Sequence, residues 1–297
     1  MELHHREGVT MSIRQELDEF GFAIAPAVLD ADEVARLRLS LSEHFSRRGT
    51  SFNLGWTQPN AAIECPEISW VFSHPAVLRT YREAYDSADG SPGLLFTGHC
   101  DIHQDSFSAW HKDTGAGDCY FDEDCFVDEC RVVKMAIYLQ DQADGGGLTV
   151  APGSHRSRAW GSSEDGARSI TSRAGDAVLF DVRIDHRGRT ADRIEKILHT
   201  VGMSTAKVIG RVAPSTRRPG QPAMLSRLAS HLPRTTRQSV FFTIAPDDRF
   251  GNQFARNNMS RQRSQYADPT AGAYPAGLVE QMSGAGLAVF QPDIPSS

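Results

Sequence analysis

From Leu94 onward the chain is cut into apolar runs too short for helices: Leu94–Thr97, Phe107–Asp113, Val132–Leu139, Leu148–Val150, Ala177–Val182, Leu198–Met203 and Val240–Ile244. Turn-forming clusters separate them, among them Asp144-Gly145-Gly146-Gly147, Pro152-Gly153-Ser154 and Gly175-Asp176. Apolar runs bounded by Gly, Pro and Asp read as strands. A long series of them predicts a mainly β fold, a sandwich or barrel, here a double-sheet jelly roll.

Upstream the period is helical. Ile13, Leu17 and Phe20 share one helical face and Gly21 is a stop signal. Phe22–Ala25 reads as a short strand ending at Pro26. Asp30 and Glu33 form a capping-box pattern ahead of Val34, Leu37, Leu41 and Phe45, with Gly49 as the terminator. A further helix is predicted from Pro75, with Leu78, Tyr81 and Tyr85 facing inward. The expected organisation is a disordered stretch, 1–12, and one domain over 13–297. That domain has a helical part at 13–90 and a jelly-roll core at 94–260. The core carries an acidic insertion at 114–131 and a loop insertion at 207–236, with a short helix near Met224–Leu232. The tail after Tyr266 shows no clear period.

A net charge of −6, with 23% charged and 40% hydrophobic residues, is ordinary for a soluble protein and favours neither nucleic acid nor an anionic membrane as partner. No apolar run reaches the roughly 18 residues that span a bilayer. The N-terminus lacks the apolar core of a signal peptide, so a cytoplasmic location is expected. Cys65, Cys100, Cys119, Cys125 and Cys130 include no CxxC pair and read as reduced thiols. The spacing of the last three does not match the tight pairs of structural zinc sites.

Two runs end in residues with metal chemistry. Trp110-His111-Lys112-Asp113 closes the run from Phe107. On a strand, positions i and i+2 share a face, so His111 and Asp113 point one way and Lys112 the other. An imidazole and a carboxylate on one face are two members of the triad that holds non-haem Fe(II) and leaves coordination positions open. The third must come from elsewhere, and His186, just past Ala177–Val182, is the candidate. A His-x-Asp pair alone is a weak signal, because a strand histidine more often has only a structural partner. The separation from His186 is workable, since strands far apart in sequence can be neighbours in a jelly roll.

In this order the motifs resemble those of the phytanoyl-CoA dioxygenase family, within the Fe(II)/2-oxoglutarate oxygenases. Leu17-Asp18-Glu19-Phe20-Gly21-Phe22 with Asp30 to Phe45 is similar to the family's N-terminal helix, strand and helix. Trp110-His111-Lys112-Asp113-Thr114 resembles its proximal iron motif. Ala136 to Asp141, the glycine turn and Leu148-Thr149-Val150-Ala151-Pro152-Gly153-Ser154-His155 resemble its internal signature. Gly175 to Phe180, leading to His186-Arg187-Gly188, is similar to its distal histidine strand. The resemblance implies a double-stranded β-helix that binds Fe(II) through His111, Asp113 and His186, with 2-oxoglutarate as cosubstrate and O₂ as oxidant. The cosubstrate's far carboxylate needs a cation, and the planar fork of Arg suits it. Where the family often places that Arg, beyond the distal histidine, this chain has Ile197. Arg193 and Arg237 are the alternatives. Arg237-Gln238-Ser239 opens an apolar run and resembles the cosubstrate-anchoring motif of related oxygenases, so Arg237 with Ser239 is preferred.

Lys134, inside an apolar strand, reads either as a group facing the barrel mouth or as half of a structural ion pair. His103, Gln104 and Ser108 could line the pocket, with a solvated loop the preferred reading for the first two; Trp110 reads as core. His155 is expected to fix its own turn, and Arg183 to pair with Asp185 away from the iron. Asp181 is a candidate partner for a ligand. Asp122, Glu123 and Asp124 form either a solvated loop or a lid that favours an amine-bearing substrate. The function implied is oxidation, hydroxylation first, of an unactivated carbon in a small molecule such as a specialised metabolite, releasing succinate and CO₂. The alternatives are a cupin-like metal enzyme that does not use 2-oxoglutarate and a catalytically inactive binding barrel.

Overall fold

The computed structural model describes residues 11–47, 55–86, 90, 92–115, 117–143, 146–159, 164, 166–190, 236–266 and 274–291. Helix α1 (Ile13–Phe20) starts at a capping box between Ser12 and Gln15 and stops at Gly21, whose φ of 80° glycine adopts without steric cost. Helix α2 (Ala31–Ser46) starts at the predicted box between Asp30 and Glu33. After β1 (Phe22–Ala25), α2 and β2 (Trp56–Pro59) come α3 (Ala61–Glu64), a 3-10 helix at Pro66–Ser73 and α4 (Pro75–Tyr85). The strands that follow are β3 (Leu94–Gln104), β4 (Val133–Tyr138), β5 (Thr149–Val150), β6 (Arg168–Ser169), β7 (Ala177–Asp181), β8 (His186–Arg187) and β9 (Gln238–Pro246). Helices α5 (Arg249–Tyr266) and α6 (Ala276–Gly284) and strand β10 (Leu287–Val289) complete the described elements.

A seven-stranded sheet runs β1-β7-β4-β9-β3-β10, with β2 also on β3, and a three-stranded sheet runs β6-β5-β8. Strand alternation gives the large sheet two different faces. One face carries Met135, Ile137, Leu179, Val240 and Phe242 into a core shared with α1, α2 and α4. There Tyr81 and Tyr85 donate their hydroxyls to the carbonyls of Phe242 (3.0 Å) and Ile244 (2.7 Å). Tyr81, Phe72 and Phe242 are fully buried, and each such side chain contributes on the order of 1.5–3 kcal/mol. The other face puts Ala136, Val178 and Phe180 against Leu148, Val150 and Ile184 from the second sheet and its flanks. This is the mainly β, double-stranded β-helix with N-terminal helices that the sequence predicts.

Several local expectations change. Phe107–Asp113 is not a strand. The chain leaves β3 at Gln104 and turns at Asp105, with φ 54°, and only His111 forms a bridge, to His186. Its partner β8 is two residues long, too short to pair a longer run. His103 and Gln104 lie within β3, not in a loop. The tail after Tyr266, which shows no clear period in sequence, supplies α6 and a parallel edge strand on β3. Residues 1–10, Arg193, Ile197, the run Leu198–Met203 and nearly all of the 207–236 insertion lie outside the described residues. No helix among the described residues is long and apolar enough to cross a membrane.

Candidate metal centre

A short backbone ladder builds the site. His111 N–H donates to His186 O (2.8 Å), His186 N–H to His111 O (2.9 Å) and Asp113 N–H to Val182 O (2.7 Å). The two segments thus lie side by side, and the imidazole centroids stand 4.3 Å apart. One ligand atom from each of His111, Asp113 and His186 lies within 4.8 Å of the others. Nε2 of His111 is 3.5 Å from Asp113 Oδ1, and Nε2 of His186 is 3.4 Å from Asp113 Oδ2.

Both imidazoles are oriented from behind. His111 Nδ1 lies 2.7 Å from Ala109 O, and His186 Nδ1 lies 3.1 Å from Ile184 O. A carbonyl only accepts, so each Nδ1 carries a proton and each Nε2 is turned to the centre, where it ligates a metal when the ring is neutral. Burial lowers the His111 imidazole, but the Asp113 carboxylate beside it raises it overall. Burial pushes the His186 imidazole down to about 4, leaving it neutral. Burial would raise the Asp113 carboxyl, but the charge of Lys134 beside it holds it well below the usual carboxylate range. Two imidazole nitrogens and one anionic oxygen, with the outer nitrogens engaged by the protein, form a donor set that fits a divalent transition metal.

Lys134 donates to Asp113 Oδ2 at 2.6 Å, so it both faces the cavity and forms an ion pair. Lys112 points the other way, as expected, although only His111 of this segment is bridged. Its ammonium is 2.6 Å from Arg183 O, 2.9 Å from Ser154 O and 3.4 Å from Asp185 Oδ1, and it ties the two ligand segments together from behind. Asp185 therefore pairs with Lys112, not with Arg183. Arg183 instead grips Asp181 through Nε (2.8 Å) and Nη2 (2.6 Å), so Asp181 orients an arginine and no metal ligand. His155 packs its ring over Gly21, where a Cβ would meet its Nδ1 at 2.5 Å. It thereby fixes the α1–β1 corner rather than its own turn, which Ser154 Oγ holds by donating to Ala151 O at 2.7 Å. Trp110 is half-buried under the Arg187 guanidinium, 5.2 Å from its ring centre, not in the core.

A cavity of about 620 Å³ opens over the triad. Arg237, Ser239, Lys134 and Ser108 all line it. Arg237 donates through Nη1 to Gly146 O at 2.7 Å, and Ser108 Oγ accepts from Gly188 N–H at 2.7 Å. Asp122, Glu123 and Asp124 do not line it. They face Arg256, Arg249 and Arg158 on the outer surface, while Tyr120, Phe121, Cys125 and Cys130 of the same segment are buried against Phe250 and Phe254 of α5. His103, a pocket candidate from the sequence, lines the cavity, and so do His99, Asp101, Tyr138, Arg189 and Arg261, which no motif pointed to. For His99 and Asp101 the available signal was their i, i+2 spacing with His103 on one strand.

Three solved structures are similar in fold. The carbocyclase SnoK from nogalamycin biosynthesis, described as non-haem and α-ketoglutarate dependent, is 16% identical, with 82% of this chain and 86% of that one covered and a TM-score of 0.53. HygX from Streptomyces hygroscopicus, with nickel and 2-oxoglutarate bound, is 17% identical over 81% and 88%, with a TM-score of 0.51. The epimerase SnoN from nogalamycin biosynthesis is 16% identical over 79% and 81%, with a TM-score of 0.50. No curated protein sequence matches. The sequence profile of the phytanoyl-CoA dioxygenase family matches residues 17–192, more than half of the 297-residue chain and a span that includes all three candidate ligands. The chain belongs to the phytanoyl-CoA dioxygenase family of Fe(II)/2-oxoglutarate-dependent enzymes.

Proposed function

We propose that His111, Asp113 and His186 hold Fe(II), and that Arg237 with Ser239 takes the far carboxylate of 2-oxoglutarate. The enzyme then oxidises an unactivated carbon of a small molecule, a specialised metabolite, by hydroxylation, with release of succinate and CO₂. When bound, the iron and cosubstrate supply the oxidising chemistry. The protein positions: the carbonyls of Ala109 and Ile184 aim the imidazoles, Lys134 keeps Asp113 ionised, and the cavity shields the reacting groups from water. The observation that carries the reading is the convergence of three ligand atoms within 4.8 Å from two segments remote in sequence. Two of the similar structures, SnoK and SnoN, are α-ketoglutarate-dependent enzymes of nogalamycin biosynthesis, which supports both the cosubstrate and the substrate class. Arg193 lies outside the described residues, while Arg237 faces the cavity.

Addition of Fe(II) and 2-oxoglutarate without oxygen is expected to give the weak visible charge-transfer band of the chelate. His186→Ala should lose the band together with metal affinity, and succinate release across a substrate panel then identifies productive ligands. Iron binding without the band would favour a metal enzyme that does not use 2-oxoglutarate. Loss of both in the wild type would leave a binding barrel.

A further inference from the structure

The cavity extends past the triad at one end toward residues that no step above uses. Strand β9 places Ser239 against Tyr138 and His103, and Thr243 against Lys134. Four residues of strand rise separate Ser239 from Thr243 by about 13 Å. The Arg237 end of the cavity is therefore distinct from the end beside Thr243. There His99 Nδ1 meets Thr243 Oγ1 at 3.0 Å, and His99 Nε2 lies 3.6 Å from Asp101 Oδ2. Arg261 of α5 lies over the Tyr120 ring at 5.2 Å. Asp101, His99, Tyr120 and Arg261 all line the cavity.

Asp101 is the anomaly in this group. Its Oδ1 is buried and accepts no hydrogen bond among the described residues. Burial pushes the carboxyl up to about 6, against the opposing charges of Lys134 and Arg261, so it is ionised at neutral pH. A buried carboxylate oxygen without a donor is costly, and a ligand donor removes that cost. The cations nearby disfavour an ammonium as that donor, whereas a hydroxyl meets no repulsion. Arg261 beside it supplies donors that a second hydroxyl can accept, and Tyr120 supplies an apolar ring edge.

We propose that this end of the cavity binds the organic substrate, that Asp101 is a specificity-determining residue, and that the substrate is polyhydroxylated, a saccharide or polyol whose neighbouring hydroxyls donate to Asp101 and accept from Arg261. The proposal deepens the oxygenase reading and rests on it. The test uses the anaerobic Fe(II)·2-oxoglutarate protein, titrated with methyl glucoside, myo-inositol, cyclohexylamine or octanoyl-CoA. Binding is read by calorimetry and by the shift of the visible band. The wild type binds the two polyols. Asp101→Asn and Asp101→Leu weaken polyol binding by about tenfold or more, while 2-oxoglutarate affinity stays within about twofold. The near-isosteric Asn variant guards against a folding artefact. Polyol binding that both variants retain, or a wild type that binds only the amine or the thioester or no probe at all, overturns the proposal. If the oxygenase reading itself fails, the band is missing before any probe is added.

Discussion

Lys134 reaches Asp113 from a strand whose other face is sealed under helices, and neither group has much water to fall back on. The Lys134 side chain is 8% exposed and that of Asp113 16%. Breaking such a pair from one side leaves a buried charge uncompensated, at a cost of about 3–5 kcal/mol. Lys134→Met is therefore expected to lose stability on that order in denaturant unfolding. A divalent cation bound beside Asp113 would replace the missing positive charge, so saturating Co(II) should recover part of the loss. Equal losses with and without Co(II) would mean that Lys134 stabilises something other than the ligand carboxylate. Lys112 shows the complementary logic. Set between two ligands, it turns outward onto two backbone carbonyls and Asp185, and so fixes the register of the ladder that carries the site.

The elements legible in the sequence are those whose signal is local. The capping box at Asp30, the stop at Gly21 and the pair His111 and Asp113 all rest on spacing over a few residues, while His186 is legible from its place just past the apolar run Ala177–Val182. Helix α5 escaped because its buried stripe of Phe250, Phe254 and Met259 is broken by Gly251 and diluted by Asn and Arg. Gly251 has a tertiary cause: a Cβ there would stand 2.1 Å from Pro246 O, so the helix leaves β9 too closely for any side chain. The acidic segment shows a related gap. Its charges left a solvated loop or a lid open, and the acids do lie at the surface, yet its anchors are apolar: Tyr120 and Phe121 pack on Phe254 at ring distances of 5.4 and 6.0 Å. Strand β3 hid its cavity-facing row because a bulge between Phe96 and Cys100 interrupts the alternation. Phe254→Ala should cost about 3–5 kcal/mol. The exposed triple change Asp122→Asn, Glu123→Gln, Asp124→Asn should leave the melting temperature almost unmoved. The reverse order of effects would show that the ion pairs, not the aromatic cluster, dock the segment on α5.

Across the whole molecule, the site is a joint between layers. Asp113 contacts Lys134 of the large sheet, His186 begins a strand of the small one, and the Phe180 ring of the large sheet lies 4.9 Å from the His186 ring. Holding these groups together therefore opposes separation of the two sheets, and ligation should appear as global stability. A metal at a hundred times its dissociation constant adds about 2.7 kcal/mol, or roughly 4 °C for a domain of this size. Thermal melts with Co(II) should show that rise in the wild type, and 2-oxoglutarate should add a second increment only when metal is present. Arg237 lies at the start of β9, apart from the triad, so Arg237→Ala should keep the metal increment and lose the cosubstrate increment. His186→Ala should lose both. A full 2-oxoglutarate increment in Arg237→Ala would move the carboxylate anchor to another cation of the cavity, with Arg189, which donates to Asp105 O at 2.7 Å, the next to replace.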